Sequence, residues 1–125
     1  MTTLPYAATV RPAPDPMIGS GMIRIFAWTG MGLGDDGAPL EINGNLFDLS
    51  IQAFGDFSGD ATVGWEGSND GVHWSPQKDE TGAVIALGPD ASAGVSKMMA
   101  LFRPIVRGGD GETEVDVVIA IRMAS

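Results

Sequence analysis

The sequence predicts an all-β fold: a single antiparallel β-sandwich or β-barrel of about seven strands with an extended N-terminal arm. Three observations lead there. Stretches of strict two-residue alternation between apolar and polar side chains recur at short spacing. Eighteen glycines and eight prolines fall largely between those stretches, as turn punctuation. No long segment carries the 3.6-residue periodicity of an amphipathic helix. At 125 residues and 44% apolar content, the chain suffices for one domain with its own core.

Residues 1–21 read as the arm, and residues 22–125 as the sandwich or barrel domain. Pro5, Pro12, Pro14 and Pro16 remove ladder donors, and Gly19 and Gly21 loosen the junction with the first domain strand. Such a segment suits either a loosely draped terminus or an extended arm packed on a neighbouring subunit, the latter with Leu4, Tyr6, Val10, Met17 and Ile18 as apolar anchors. Met22 to Thr29 is the first strand of the domain. Ile23, Ile25 and Ala27 share one face, and Met22, Arg24, Phe26 and Trp28 the other. Large apolar groups on both faces predict cover on both sides.

Gly30 to Pro39 is a glycine-rich loop. No Lys-Ser/Thr comes after it and no βαβ unit surrounds it, which excludes a phosphate-cradling motif. Asp35 and Asp36 lack the spacing of an EF-hand. Leu46 to Phe54 alternates cleanly, with Phe47, Leu49, Ile51 and Ala53 on the apolar face. The turn from Gly55 to Asp60 then predicts a hairpin spanning residues 46–66.

Ala61 to Ser75 is the most strongly specified stretch. Val63 and Trp65 alternate with Thr62, Gly64 and Glu66, and Gly67-Ser68-Asn69-Asp70-Gly71 supplies a tight polar turn. Trp74 is placed to fold back toward Trp65, so that two of the three tryptophans flank one turn. The structural reading of Trp65, Ser68, Asn69, Asp70, Gly71 and Trp74 is a staple that sets strand register and packs the core. The functional reading is a sugar-stacking platform, since a Ser-Asn-Asp-Gly-x-x-Trp turn also occurs in carbohydrate-binding β-sandwiches of the discoidin type.

Downstream, Ser75 to Gly82 is turn-like, Ala83 to Leu87 a short strand and Gly88 to Gly94 a loop. Val95 to Phe102 fits either a strand or one or two helical turns. Pro104 demotes its segment to an edge strand or a bend, although Arg103 to Arg107 still reads as extended. Gly108-Gly-Asp-Gly111 has the composition of a hairpin turn. Val115 to Met123 closes the chain as a long strand with Val115, Val117, Ile119, Ile121 and Met123 inward.

Sixteen acidic against seven basic residues give a net charge of −9, which disfavours direct binding to nucleic-acid phosphates. An acidic surface of this kind faces solvent or a basic partner. No cysteine is present, so disulfides, thiolate metal sites and thiol nucleophiles are excluded. His73 is the sole histidine, there is no Gly-x-Ser-x-Gly elbow, and most aspartates stand beside glycine in turns. An enzyme is not expected, nor a cofactor or metal. The N-terminus lacks the regions of a signal peptide, and no apolar run approaches the roughly 20 residues of a membrane-spanning helix. Synthesis in a cytosol is the expectation, with no membrane partner.

An ordered series of motifs carries a resemblance. Gly67-Ser-Asn-Asp-Gly-Val-His-Trp74 is followed by the Asp79–Gly82 turn, then Phe102-Arg-Pro104, then Gly108-Gly-Asp-Gly111 before a terminal alternating strand. Over about residues 40–123 the chain resembles the small β-rich structural proteins of tailed-bacteriophage virions, among them capsid decoration (cement) proteins. The resemblance implies a non-enzymatic protein on the outer capsid surface, often a homotrimer. It would bridge subunits of the major capsid protein against internal DNA pressure. Arg24, Arg103, Arg107 and Arg122 are candidates for coat contact, and equally for ordinary paired arginines. Two alternatives stand beside this one: a carbohydrate-binding module using Trp65 or Trp74, and a tail or head–neck protein of the same virion.

Overall fold

The computed structural model describes residues 3–12, 22–41, 46–95 and 99–123. Among them are twelve strands: β1 (Thr3–Leu4), β2 (Ala7–Pro12), β3 (Met22–Met31), β4 (Asp36–Gly37), β5 (Leu40–Glu41), β6 (Leu46–Asp56), β7 (Thr62–Ser68), β8 (Ser75–Pro76), β9 (Ala86–Leu87), β10 (Ser92–Gly94), β11 (Leu101–Arg107) and β12 (Glu114–Met123). They form two sheets and no closed barrel. The first has the order β10-β6-β12-β3-β2 and is antiparallel throughout. The second runs β1-β4-β11-β7-β8, with β5 also on β11 and β9 also on β7. Its single parallel pair is β1 with β4.

Alternation in the sequence builds the core between these layers. Along β11 the residues switch strictly between half-buried and buried, with Phe102, Pro104 and Val106 inward. Val63 and Trp65 of β7 face the same interior, against Phe26 and Trp28 of β3 and Val115, Val117, Ile119 and Ile121 of β12. Trp65 stacks on Phe102 at 5.3 Å between ring centroids and meets Trp28 edge-on at 5.9 Å. Such aromatic pairs contribute about 0.5–1.5 kcal/mol beyond simple burial. The tryptophan alternation thus becomes a stack through the middle of the sandwich.

Several expectations need correction. The predicted arm is, over residues 3–12, part of the sandwich: β2 pairs with β3 from Ala7↔Ala27 to Pro12↔Met22, and β1 pairs with β4. Pro5 falls between β1 and β2 and Pro12 ends β2, where a strand tolerates a missing N–H, while Pro14 and Pro16 lie outside the described residues. Leu4 packs against the core, and Tyr6 lies on Phe26 and Trp28 at 5.5 and 5.6 Å. Met17 and Ile18 lie outside the described residues, as does the side chain of Val10.

The hairpin predicted over residues 46–66 is instead a crossing between layers. β6 belongs to the five-stranded sheet and β7 to the other. Gly108–Gly111 crosses back in the same way, from β11 to β12. The two crossings brace each other: Gly109 N–H donates to the Gly59 carbonyl at 3.0 Å, and Thr113 Oγ1 to the Ser58 carbonyl at 2.8 Å. Gly59 has φ +71°, and a Cβ there would stand 2.5 Å from the Gly109 carbonyl carbon. Glycine is required by both the dihedral and the close approach.

Pro104 is not on an edge. It pairs with Trp65 on one side, while on the other the partner strand is interrupted. β5 pairs with Leu101 and Phe102, and β4 resumes at Ile105. The missing N–H of proline therefore coincides with a gap in the ladder. Leu101 and Phe102, in the stretch left open between strand and helix, are strand residues. Ser92–Gly94, predicted as loop, pairs with β6. On β3, Phe26 and Trp28 are buried, whereas Ile25 and Ala27 on the other face are only half-buried.

Candidate functional site

The chemistry-bearing side chains converge on the outer face of the larger sheet. Period-two alternation puts Arg103 and Arg107 on the solvent side of β11 and Glu66 on the solvent side of β7. The register sets Arg103 directly opposite Glu66. Arg103 Nε and Nη2 both lie 3.0 Å from Glu66 Oε1, and Arg107 Nη2 lies 3.3 Å from Oε2. Arg103 Nη1 also reaches Asp36 Oδ2 at 3.4 Å. Asp36 Oδ1 accepts a hydrogen bond from Thr3 Oγ1 at 2.6 Å. A row of polar groups, Thr3–Asp36–Arg103–Glu66–Arg107, thereby ties β1, β4, β11 and β7 together.

Glu66 is buried, its side chain only 12% exposed. A carboxylate taken this far out of water requires charged partners, and the two arginines supply them. The Arg103 guanidinium also lies 4.1 Å above the Trp74 ring, a cation–π contact. Trp74 therefore does not return to Trp65, as the sequence suggested. Trp65 points into the core and Trp74 packs on the outer face, because residues 68–74 form a loop wide enough to place the ring over β11.

That loop is organised by Asp70. Its Oδ1 accepts hydrogen bonds from the N–H groups of Val72 (2.8 Å) and His73 (2.9 Å) and from Ser68 Oγ (3.0 Å). Its Oδ2 lies 2.7 Å from His73 Nδ1. Donation from the His73 N–H, from the His73 ring, from Val72 and from Ser68 holds the Asp70 carboxyl well below the usual carboxylate range. Ser68 Oγ accepts from Gly71 N–H at 2.8 Å, and Asn69 Oδ1 from Ala100 N–H at 3.0 Å. Asp79 organises the next turn likewise: the Thr81 hydroxyl and N–H, then Ala83 and Gly82, lower its carboxyl. Ser68 Oγ, Asn69 Oδ1 and both Asp70 carboxylate oxygens are thus engaged by the chain itself.

The remaining sequence candidates scatter. Arg24 is exposed on β3 in the other sheet, and the Arg122 side chain lies outside the described part of β12. Glu66 and Thr3 were not singled out in the sequence, and Asp36 was weighed there only as a calcium ligand. A period-two reading of residues 103–107 does place both arginines on one face. Their acidic partner is 37 and 41 residues away, a pairing that no local pattern reveals. Among the described residues, no group of three or more His, Asp or Glu is arranged to hold a metal ion.

No family model matches the chain, and no curated protein matches it. Three solved structures are similar in backbone, two of them of oxalate oxidase. One is peruvianin-I, a cysteine peptidase from Thevetia peruviana latex, with TM-score 0.47 and 12% identity, covering 96% of this chain and 63% of that one. Another is a recombinant oxalate oxidase in complex with glycolate, with TM-score 0.46 and 15% identity, covering 96% of this chain and 52% of that one. The chain therefore spans about half to under two thirds of the length of these structures, and at this similarity no activity carries over.

Proposed function

We propose that this chain is a non-enzymatic structural protein of a bacteriophage virion, a decoration protein that binds the outside of the head and bridges coat subunits. The motif series over about residues 40–123 motivates the reading. The observation that carries it is the internal use of the motif's polar groups, which makes residues 68–74 a self-bonded turn rather than a ligand cradle. A protein whose task is mechanical needs contact area rather than a ligand cradle, and the outer face of the five-stranded sheet offers it. There Ile25, Ala27, Val118 and Ala120 stand half-buried in neighbouring register.

The carbohydrate-binding alternative loses Trp65 and is left with a single face of Trp74. Trp28 and Trp65 are 0% and 1% exposed, and one face of Trp74 is occupied by Arg103. The proposed role is tested by an electron-microscopy map of the virion that contains this chain. Density for the sandwich outside the head shell, where coat subunits meet, is the expected result. Density confined to the tail or neck would overturn the decoration role.

A further inference from the structure

We infer that the β2 edge of the five-stranded sheet is a self-association surface, where two copies of this chain pair antiparallel through Ala7–Pro12. The inference is independent of the decoration reading and concerns the free protein.

Every open sheet edge presents unpaired N–H and C=O groups, and natural proteins blunt such edges by shortness, charge or proline. Three of the terminal strands here are blunted by shortness: β1 and β8 have two residues each and β10 has three. β2 is the exception, with six residues that pair, among the described residues, with β3 on one side alone. Ala7 and Ala8 are exposed and small, so these two side chains raise no steric barrier to a second strand. Tyr6, 38% exposed, adjoins the same edge and offers an aromatic flank of the kind enriched at interfaces.

Charge selects the occupant. Sixteen acidic residues make most approaches between copies repulsive, yet β2 and β3 contain none, only Arg11 and Arg24. The occupant that matches a six-residue strand in length and brings no carboxylate to it is the same strand of a second copy.

The register is set by proline. Pro12 has no N–H, so its phase, shared with Val10 and Ala8, is the one whose donors point away from β3. A two-fold axis at Thr9 then sets Ala8 opposite Val10 of the second copy, and Val10 opposite its Ala8. The pair gains four N–H···O=C bonds. The two Arg11 residues fall roughly 14 Å apart along the ribbon at ~3.4 Å per residue, beyond the Debye length of about 8 Å at physiological salt. The geometry yields isologous pairs, unlike the threefold association implied by the phage resemblance.

Light scattering on the eluting full-length protein across a hundredfold range of concentration is expected to show twice the chain mass at the upper end. Hydrogen exchange on that sample should find the Ala8 and Val10 amides protected, and protection should fall on dilution. Ala8→Pro deletes one outward donor per copy, and Ala8→Lys places like charges in the ribbon. Each variant should run as a monomer with an unchanged circular dichroism spectrum. Monomer at every concentration, or fast exchange at Ala8 and Val10 in the associated wild type, would overturn the pairing. A mass of three chains, or a dimer that survives both variants, would do the same, and a trimer would leave the decoration reading standing. Should both variants misfold, the wild-type exchange pattern still decides.

Discussion

Replacing Glu66 by Gln removes the charge that two arginines share while keeping the side chain's shape. At separations of 3.0 and 3.3 Å, each pair has a gross attraction of about 5 kcal/mol at an effective dielectric of ~20. Desolvation of a carboxylate that is 12% exposed cancels much of this. The Arg107 side chain is 39% exposed, so its share is that of a surface pair, about 0–1 kcal/mol. Arg103, 22% exposed, keeps Asp36 and Trp74 after the substitution, which moderates the usual ~3–5 kcal/mol cost of breaking a buried pair. The expected loss for Glu66→Gln is therefore about 2–3 kcal/mol, or a fall in Tm of roughly 8–12 °C for a domain of this size. Urea denaturation at pH 7 measures the first and calorimetry the second. Combining it with Arg103→Gln in a double-mutant cycle should return a coupling of about 1–2 kcal/mol. A Glu66→Gln protein within about 0.5 kcal/mol of wild type, or a cycle with no coupling, would refute the argument that these charges hold the larger sheet together.

Asp70 gives a pH signature. Its folded pKa is depressed below the ordinary value of about 3.9, so its stabilisation is fully present above that pH and is lost as pH falls through the folded pKa. Asp70→Asn should therefore be less stable than wild type at neutral pH, with the gap closing only below about pH 4. An NMR titration midpoint for Asp70 at or above the ordinary value would contradict this. Trp65→Ala should cost about 3–5 kcal/mol and Trp74→Ala much less, by urea denaturation; equal losses would refute their placement. Acrylamide should quench one tryptophan out of three, Trp74, and soluble glycans should leave the emission unchanged. Gly59→Ala should destabilise by about 2 kcal/mol or more, from its positive φ and the backbone contact at Gly109. A melting temperature unchanged by that substitution would remove the bracing role of the two crossings.

How much of this was legible depends on the range of each interaction. Strands such as β6 and β12 write their alternation into consecutive residues, and Leu49, Ile51 and Ala53, like Val115, Val117, Ile119 and Ile121, are buried as read, while the side chains of Phe47 and Met123 lie outside the described residues. Turn composition announces a change of direction but not its destination. Gly55–Asp60 and Gly108–Gly111 look like hairpin turns because glycine and aspartate serve both purposes, while the choice of sheet is made by packing between layers. Pro104 misled for a related reason. A proline forbids one hydrogen bond, and whether that matters depends on a break between β4 and β5, encoded some 65 residues earlier. At the candidate site, Ser68, Asn69, Asp70 and Gly71 form a local turn and were readable as one. Glu66 was not, since its meaning depends on β7 pairing with β11.

The central claim, a mechanical role outside a phage head, meets its most direct test in particles assembled without this chain. Purified protein added to such expanded, DNA-filled heads should co-sediment to a saturating stoichiometry and raise the temperature at which DNA is released. Heads that bind none of it and release DNA at an unchanged temperature would contradict the account.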